Sequence, residues 1–259
     1  MSSEPLLSVQ NVSKKFGGVL ALSGISLDVF RGDIVGVIGP NGSGKTTLVN
    51  AITGFIKADT GKVFFNGRDI TDTVPHKIAA QGLTRTFQVM RPYFSLPAYK
   101  NLIVPLFSPR ARKTGGWRGG GKMGSRDTVA VDILEEIGFE RDSYVPFKLA
   151  SSLPTGYLKR LELARCLALR PELIICDEVL SGLSMSEMAS MVPLIEKLQM
   201  EGITLIMVEH RLRELFRLAN RVIVLNFGCK IAEGTSEEVM ALKEVKEAYF
   251  GSEEVFDYV

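Results

Sequence analysis

Residues 39–46 read Gly39-Pro40-Asn41-Gly42-Ser43-Gly44-Lys45-Thr46, and they fill every fixed position of the pattern G-x-x-x-x-G-K-[ST]. The run before them, Ile34-Val35-Gly36-Val37-Ile38, is continuously apolar, as suits a strand buried on both faces. The run after them, Thr47-Leu48-Val49-Asn50-Ala51-Ile52-Thr53, predicts a helix. Strand, glycine-rich turn and helix in that order make a cradle for phosphate. Glycines let the chain curl until successive N–H groups face one anion, and the helix adds the positive end of its dipole. In such a loop Lys45 holds the β- and γ-phosphates of a nucleotide and the Thr46 hydroxyl ligates Mg²⁺. Asn41, Gly42, Ser43 and Thr47 complete the candidate phosphate contacts. An ordinary glycine-rich turn would leave Lys45 and Thr46, directly after Gly44, unexplained.

Outward from this loop the pattern is that of an α/β protein. Residues 5–35 alternate apolar and polar, as in Leu7-Ser8-Val9-Gln10 and Ile25-Ser26-Leu27-Asp28-Val29, which predicts antiparallel strands with one wet face. Val63-Phe64-Phe65-Asn66-Gly67 predicts a strand ending in a turn. Three later runs, Leu173-Ile174-Ile175-Cys176, Thr204-Leu205-Ile206-Met207-Val208 and Val222-Ile223-Val224-Leu225, are of the buried type. Helical patterns separate them, so a parallel sheet with helices on its faces is expected. The last run leads into Asn226-Phe227-Gly228-Cys229-Lys230, a hairpin turn.

Residues 89–155 carry few strand signals and predict a helical insertion. Within it, residues 128–138 form an amphipathic pattern closed by Gly138. Residues 108–126, SPRARKTGGWRGGGKMGSR, are basic and glycine-rich without an apolar period, and predict a mobile loop. A nucleic-acid or lipid-headgroup surface is the alternative there, although like-charge runs are usually solvated.

Composition sets the outer bounds. The chain has 259 residues, 46% of them hydrophobic and 23% charged, with a net charge of +2. That is enough apolar material for a sizeable core and too little net charge to recruit nucleic acid or a membrane surface. No apolar run approaches the ~20 residues that span a bilayer, and MSSEPLLSVQ is not patterned as a signal peptide. A cytoplasmic location is therefore expected, with any membrane role requiring an embedded partner. Cys166, Cys176 and Cys229 form no CxxC pair. They are expected to be buried small hydrophobes, not a disulfide or zinc framework.

Leu173-Ile174-Ile175-Cys176-Asp177-Glu178 is apolar until two acids arrive together. A charge directly off a buried strand is costly unless it serves a cation. Asp177 suits the carboxylate that serves Mg²⁺ in phosphate-loop enzymes. Glu178, one residue on, suits a general base that polarises an attacking water. A strand simply leaving the core is the bland alternative, weakened by the complete phosphate loop upstream.

With these motifs in place, nearly the whole chain resembles an ABC transporter ATPase. The resemblance implies a P-loop NTPase (RecA-like) fold. Its core would be a parallel sheet built from residues 1–88 and 156–259, with an antiparallel β subdomain. Residues 89–155 would form an inserted α-helical subdomain. Phe16, in Lys14-Lys15-Phe16-Gly17-Gly18, matches the aromatic that stacks on adenine. Gln88, in Thr84-Arg85-Thr86-Phe87-Gln88, matches the glutamine that touches Mg²⁺ and the attacking water. His210, after Val208-Glu209, matches the histidine that contacts the γ-phosphate. ATP and Mg²⁺ are the implied ligands.

The family signature LSGGQ corresponds to Leu153-Pro154-Thr155-Gly156-Tyr157, where only Leu153 and Gly156 are kept. Pro154 replaces the serine that would bond the γ-phosphate across a dimer, and it removes an N–H. Thr155 offers a substitute hydroxyl. Ser184, in Ser181-Gly182-Leu183-Ser184, stands where Asp or Asn is usual. These departures concern what the chain lends to an opposite site, and they imply two unequal sites if the partner ATPase is a different chain.

The likeness is closest to the branched-chain amino acid uptake ATPases of the LivG type. It is carried by Gly82-Leu83-Thr84-Arg85-Thr86-Phe87-Gln88, the glycine-rich insertion, the Pro154 variant, Val208-Glu209-His210, Ile231-Ala232-Glu233-Gly234-Thr235 and Ala248-Tyr249-Phe250-Gly251. It implies membrane permease subunits, a second ABC ATPase subunit (identical or different) and, indirectly, a periplasmic or extracellular solute-binding protein. The chain would then sit on the inner face of the membrane, with no nucleic acid partner. Phe94-Ser95-Leu96 through Asn101-Leu102 are expected to line the permease groove. A soluble ABC-type ATPase of nucleic-acid metabolism or translation is the alternative, and a non-hydrolysing scaffold is a third.

Overall fold

Among the described residues the chain forms ten strands and ten α-helices. They are β1 (Leu7–Phe16), β2 (Val19–Val29), β3 (Ile34–Ile38), α1 (Lys45–Ile52), β4 (Thr60–Phe65), β5 (Arg68–Asp69), α2 (Pro75–Gln81) and β6 (Leu83–Arg85). There follow α3 (Ile103–Leu106), α4 (Pro109–Lys113), α5 (Arg126–Glu136), α6 (Thr155–Ala168), β7 (Leu173–Asp177) and α7 (Met185–Met200). The chain continues with β8 (Thr204–Val208), α8 (Leu212–Leu218), β9 (Arg221–Asn226), β10 (Cys229–Gly234), α9 (Ser236–Ala241) and α10 (Lys243–Phe250). This computed structural model describes residues 4–113, 126–140 and 143–250. The chain forms two compact units, one running to Pro75 and resuming at Glu196, the other spanning His76–Ile195.

The first unit holds the antiparallel sheet β2-β1-β4-β5. β1 is one of its two inner strands, with Leu7 opposite Val29 on one side and Phe65 on the other. The same unit holds the parallel strands β9, β3 and β8, with Val35 paired to both Ile206 and Arg221. All five residues of β3 and of β8 are buried, which is why both runs are apolar without alternation. Gly36 lets α8 come close, since a Cβ there would stand 3.1 Å from Leu215 Cδ2. β10 returns antiparallel to β9 through Phe227 and Gly228, at φ +45° and +76°. Two positive φ values in a two-residue loop match the right-handed twist of the strands.

The second unit pairs β6 with β7 in parallel, Leu83 opposite Leu173, and packs α5 against α6, with Cys166 Sγ of α6 donating to Arg85 O of β6 at 3.1 Å. Gly138 ends α5 at φ +87°, with Phe139 N–H returned to Leu134 O at 2.9 Å.

Two expectations need correction. Residues 108–126 are not one structureless loop: 109–113 are α4 and Arg126 opens α5. Arg110 is anchored, donating to Arg170 O at 2.6 Å, Gln81 O at 2.8 Å and Glu172 Oε1 at 2.7 Å. A guanidinium that finds two carbonyls and a carboxylate has no reason to stay in solvent. Gly82 leaves room for it, because a Cβ there would fall 2.6 Å from Arg110 Cζ. Residues 114–125, the rest of the expected loop, lie outside the described residues.

The second correction concerns cysteine. Cys166 and Cys176 are buried as expected, but Cys229 begins β10 on the surface. Burial pushes the Cys166 thiol up to about 12, so it stays protonated and unreactive at neutral pH. Maleimide should therefore label the native chain once, at Cys229, by intact mass and peptide mapping. Comparable labelling of Cys166 or Cys176 before denaturation would contradict this burial.

Candidate nucleotide site

In the first unit the chain leaves β3 at Gly39 and curls. A Cβ at Gly39 would lie 2.1 Å from Leu225 O, and one at Gly44 2.6 Å from Ala21 O. Both residues have positive φ, 152° and 103°, so side chains are excluded by space and by backbone conformation. Gly228 N–H pins the loop to the hairpin through Ser43 O at 3.0 Å. Lys45 is buried, and its Nζ donates to Gly39 O at 2.7 Å and Pro40 O at 2.9 Å. Gly44 is the N-cap of α1, and no side chain caps that helix.

Ser43 Oγ is buried and has no hydrogen-bond partner among the described residues. An orphaned hydroxyl beside an uncapped helix start and a lysine fits a polyanionic phosphate chain. Thr46 is exposed and Thr47 half-buried on the first turn of α1, with Asn41 and Gly42 exposed at the tip of the loop. Phe16 closes β1 half-exposed, with Lys14 Nζ 5.6 Å from its ring centroid. His210 is exposed just past β8, after buried Glu209.

The second unit brings Asp177, Glu178 and Gln88 together. Asp177 ends β7 at 2% exposure and pairs with Arg85 of β6, Nη2 to Oδ2 at 2.7 Å. Burial pushes the Asp177 carboxyl up, and the adjacent Arg85 charge pulls against that shift. Thr86 Oγ accepts the Asp177 N–H at 2.9 Å, and Thr86 N–H reaches Ile175 O at 2.9 Å. Gln88 Nε2 donates to Glu178 Oε1 at 3.0 Å. Segment 85–88 thus braces residues 175–178 at four points. Arg85 is the cation that balances the buried Asp177 carboxylate here; that carboxylate, the Gln88 amide oxygen and the Thr46 hydroxyl belong to the oxygen-donor class that Mg²⁺ takes. Arg85 and Thr86 were missed as site residues. Their signal was a charge closing the short strand that leads to Gln88.

In the same unit Pro154 N-caps α6, with Pro154 and Thr155 exposed. Tyr157 turns inward, its ring edge-on to Phe139 at 4.9 Å between centroids. A tyrosine committed to packing is not a free polar group in place of glutamine. Gly156 is buried against Glu187, whose Oε1 would lie 2.3 Å from a Cβ at 156. Ser184 donates its N–H and its hydroxyl to Glu187 Oε2, both at 2.8 Å. The Ser184 amide and hydroxyl, with the Gly156 N–H, hold the Glu187 carboxyl below its usual range.

The expected permease groove is only partly exposed. Phe94 and Leu96 are on the surface, but Asn101 and Leu102 are fully buried. Asn101 is a brace, accepting Tyr93 N–H at 2.6 Å and donating to Pro97 O at 3.0 Å.

The family model described as ABC transporter matches residues 22–181. The chain is 34% identical, over 96% of each chain, to a probable branched-chain amino acid transport ATP-binding protein LivG of Archaeoglobus fulgidus. It is similar to the ADP conformation of an ATP-binding cassette of an ABC transporter, with TM-score 0.82 and 33% identity over 96% of this chain and 100% of that one. It also resembles a dimeric post-hydrolysis cassette bound to ADP and Pi, with TM-score 0.75 and 26% identity over 88% of this chain and 98% of that one.

Proposed function

The chain belongs to the ABC transporter ATP-binding family, and from that premise we propose that it drives import of branched-chain or related amino acids. It is an ATP-binding cassette that hydrolyses ATP. The proposed substrate class is carried by one observation, the nearly full-length 34% identity to a relative named for branched-chain amino acid transport.

Lys45, Ser43 and the amides from Gly39 to Thr46 hold the phosphates, and Phe16 stacks on the adenine. Thr46, Gln88 and Asp177 would hold Mg²⁺, which when bound neutralises charge on the phosphates. Glu178 takes a proton from the attacking water, which Gln88 orients. His210 contacts the γ-phosphate. Among the described residues no helix is long and apolar enough to cross a membrane; permease subunits would carry the solute.

The surface of the second unit supports a docking role there: Val89, Tyr93, Phe94, Leu96 and Val104 are exposed apolar side chains just past Gln88. Residues 89–155, the helical subdomain, would shift with nucleotide state and move the permease. A second ATPase subunit completes the assembly on the inner face of the membrane. Pro154 and the inward-turned Tyr157 weaken the signature lent to that partner, so the two sites are unequal if the partner is a different chain.

Reconstitution in vesicles tests the substrate class. With its permease subunits and solute-binding protein, the chain should support ATP-dependent uptake of leucine, isoleucine or valine, abolished by Lys45→Ala. ATPase activity stimulated by nucleic acid and indifferent to permease would overturn the transport assignment.

A further inference from the structure

Lys159 lies on the second turn of α6 at 6% exposure, and a buried ammonium must be matched by strong acceptors. Its Nζ donates to the backbone carbonyl of Glu178 at 2.6 Å. The same oxygen accepts Ser181 N–H at 3.2 Å. Glu178 has φ +53°, a left-handed conformation that a residue with a side chain keeps only when its surroundings hold it there. Its carboxylate is fixed separately, by Gln88 Nε2 at 3.0 Å. The general base is therefore held at two ends, by segment 85–88 at the side chain and by α6 at the main chain.

We propose that Lys159 is a positioning residue for Glu178. Its charge clamps the Glu178 peptide in the left-handed turn and so makes the aim of the carboxylate depend on α6. That helix begins at Pro154–Gly156, so the Lys159–Glu178 hydrogen bond carries a shift of the altered signature to this chain's own base. The inference rests on the assignment of Glu178 as general base. The competing account, a core lysine whose only role is to be satisfied, predicts loss of stability without a selective loss of turnover.

The test uses the full chain with Lys159→Met, Lys159→Arg, Glu178→Gln and the Met/Gln double variant. Lys159→Gln replaces the Met variant if that one fails to fold. Lys159→Met should lower kcat at least about tenfold, as a misplaced catalytic group does, with KM for ATP and direct ATP binding within about twofold. Lys159→Arg should restore much of the loss, and the double variant should be no slower than Glu178→Gln. Without nucleotide, amide exchange at 178–182 should accelerate in Lys159→Met, while residues 39–46 keep their protection. A raised KM with unchanged kcat, additive losses in the double variant, or unchanged exchange would each overturn the inference. Full turnover by Glu178→Gln would remove its premise, whereas a silent Lys159→Met beside an inactive Glu178→Gln would sink the inference alone.

Discussion

Glu178→Gln lowers ATP turnover of the assembled transporter by at least about a hundredfold, the usual scale of a lost general base, and leaves ATP bound. Glutamine matches glutamate in size and can keep an oxygen facing Gln88 Nε2, which now sits 3.0 Å from Glu178 Oε1. It cannot take a proton from water. The phosphate loop belongs to another part of the chain, with Lys45 Nζ held by Gly39 O and Pro40 O, so nucleotide affinity should be kept. Phosphate release and nucleotide retention, measured on the same sample, separate the two effects. If the partner ATPase is a different chain, the matching change there costs less, because the site using Pro154-Thr155-Gly156 turns over more slowly to begin with. Equal losses from the two changes would contradict unequal sites.

Arg85→Ala destabilises the second unit by about 3–5 kcal/mol, as removal of one partner from a buried ion pair does. Side-chain exposure in this pair is 7% for Arg85 and 2% for Asp177, so no solvent replaces the lost cation. The pH dependence follows from the direction of the Asp177 shift. Burial already raises that carboxyl above the unfolded value of 3.8, and loss of Arg85 raises it further. The folded state then binds a proton more tightly than the unfolded state, and stability falls as pH rises through that window. The variant should lie closer to the wild type in mildly acidic buffer than at neutral pH. Urea titration at both pH values checks this. A loss below about 1 kcal/mol at neutral pH, the scale of an exposed pair, would show that the pair is not a structural brace.

These two residues also divide what could be read in advance from what could not. Glu178 was legible because an apolar run, Leu173 to Cys176, breaks into two acids, and such a run states its own burial. Arg85 was not, because its partner lies 92 positions away and only the register of β6 on β7 makes them neighbours. Lys159 is the same case, a cation on a helix whose acceptor is a main-chain carbonyl that no side-chain pattern reveals. Arg110 went unrecognised because a basic, glycine-rich composition says nothing about carbonyls waiting at Gln81 and Arg170. Asn101 was placed on a surface although its amide is spent on turns inside the second unit.

The sequence by itself determined the phosphate loop, the buried strands that lead to it, the antiparallel sheet and the two acids where β7 ends. Each is a local property, set by side-chain period, by glycine at positive φ, or by a charge where an apolar run ends. Only the tertiary structure decided which cations stand against those acids, how far the altered signature is spent on packing, and which cysteine meets solvent. Those outcomes depend on pairing across the sheet and between helices, where residues far apart in the chain meet, and no window of sequence contains both members of such a pair.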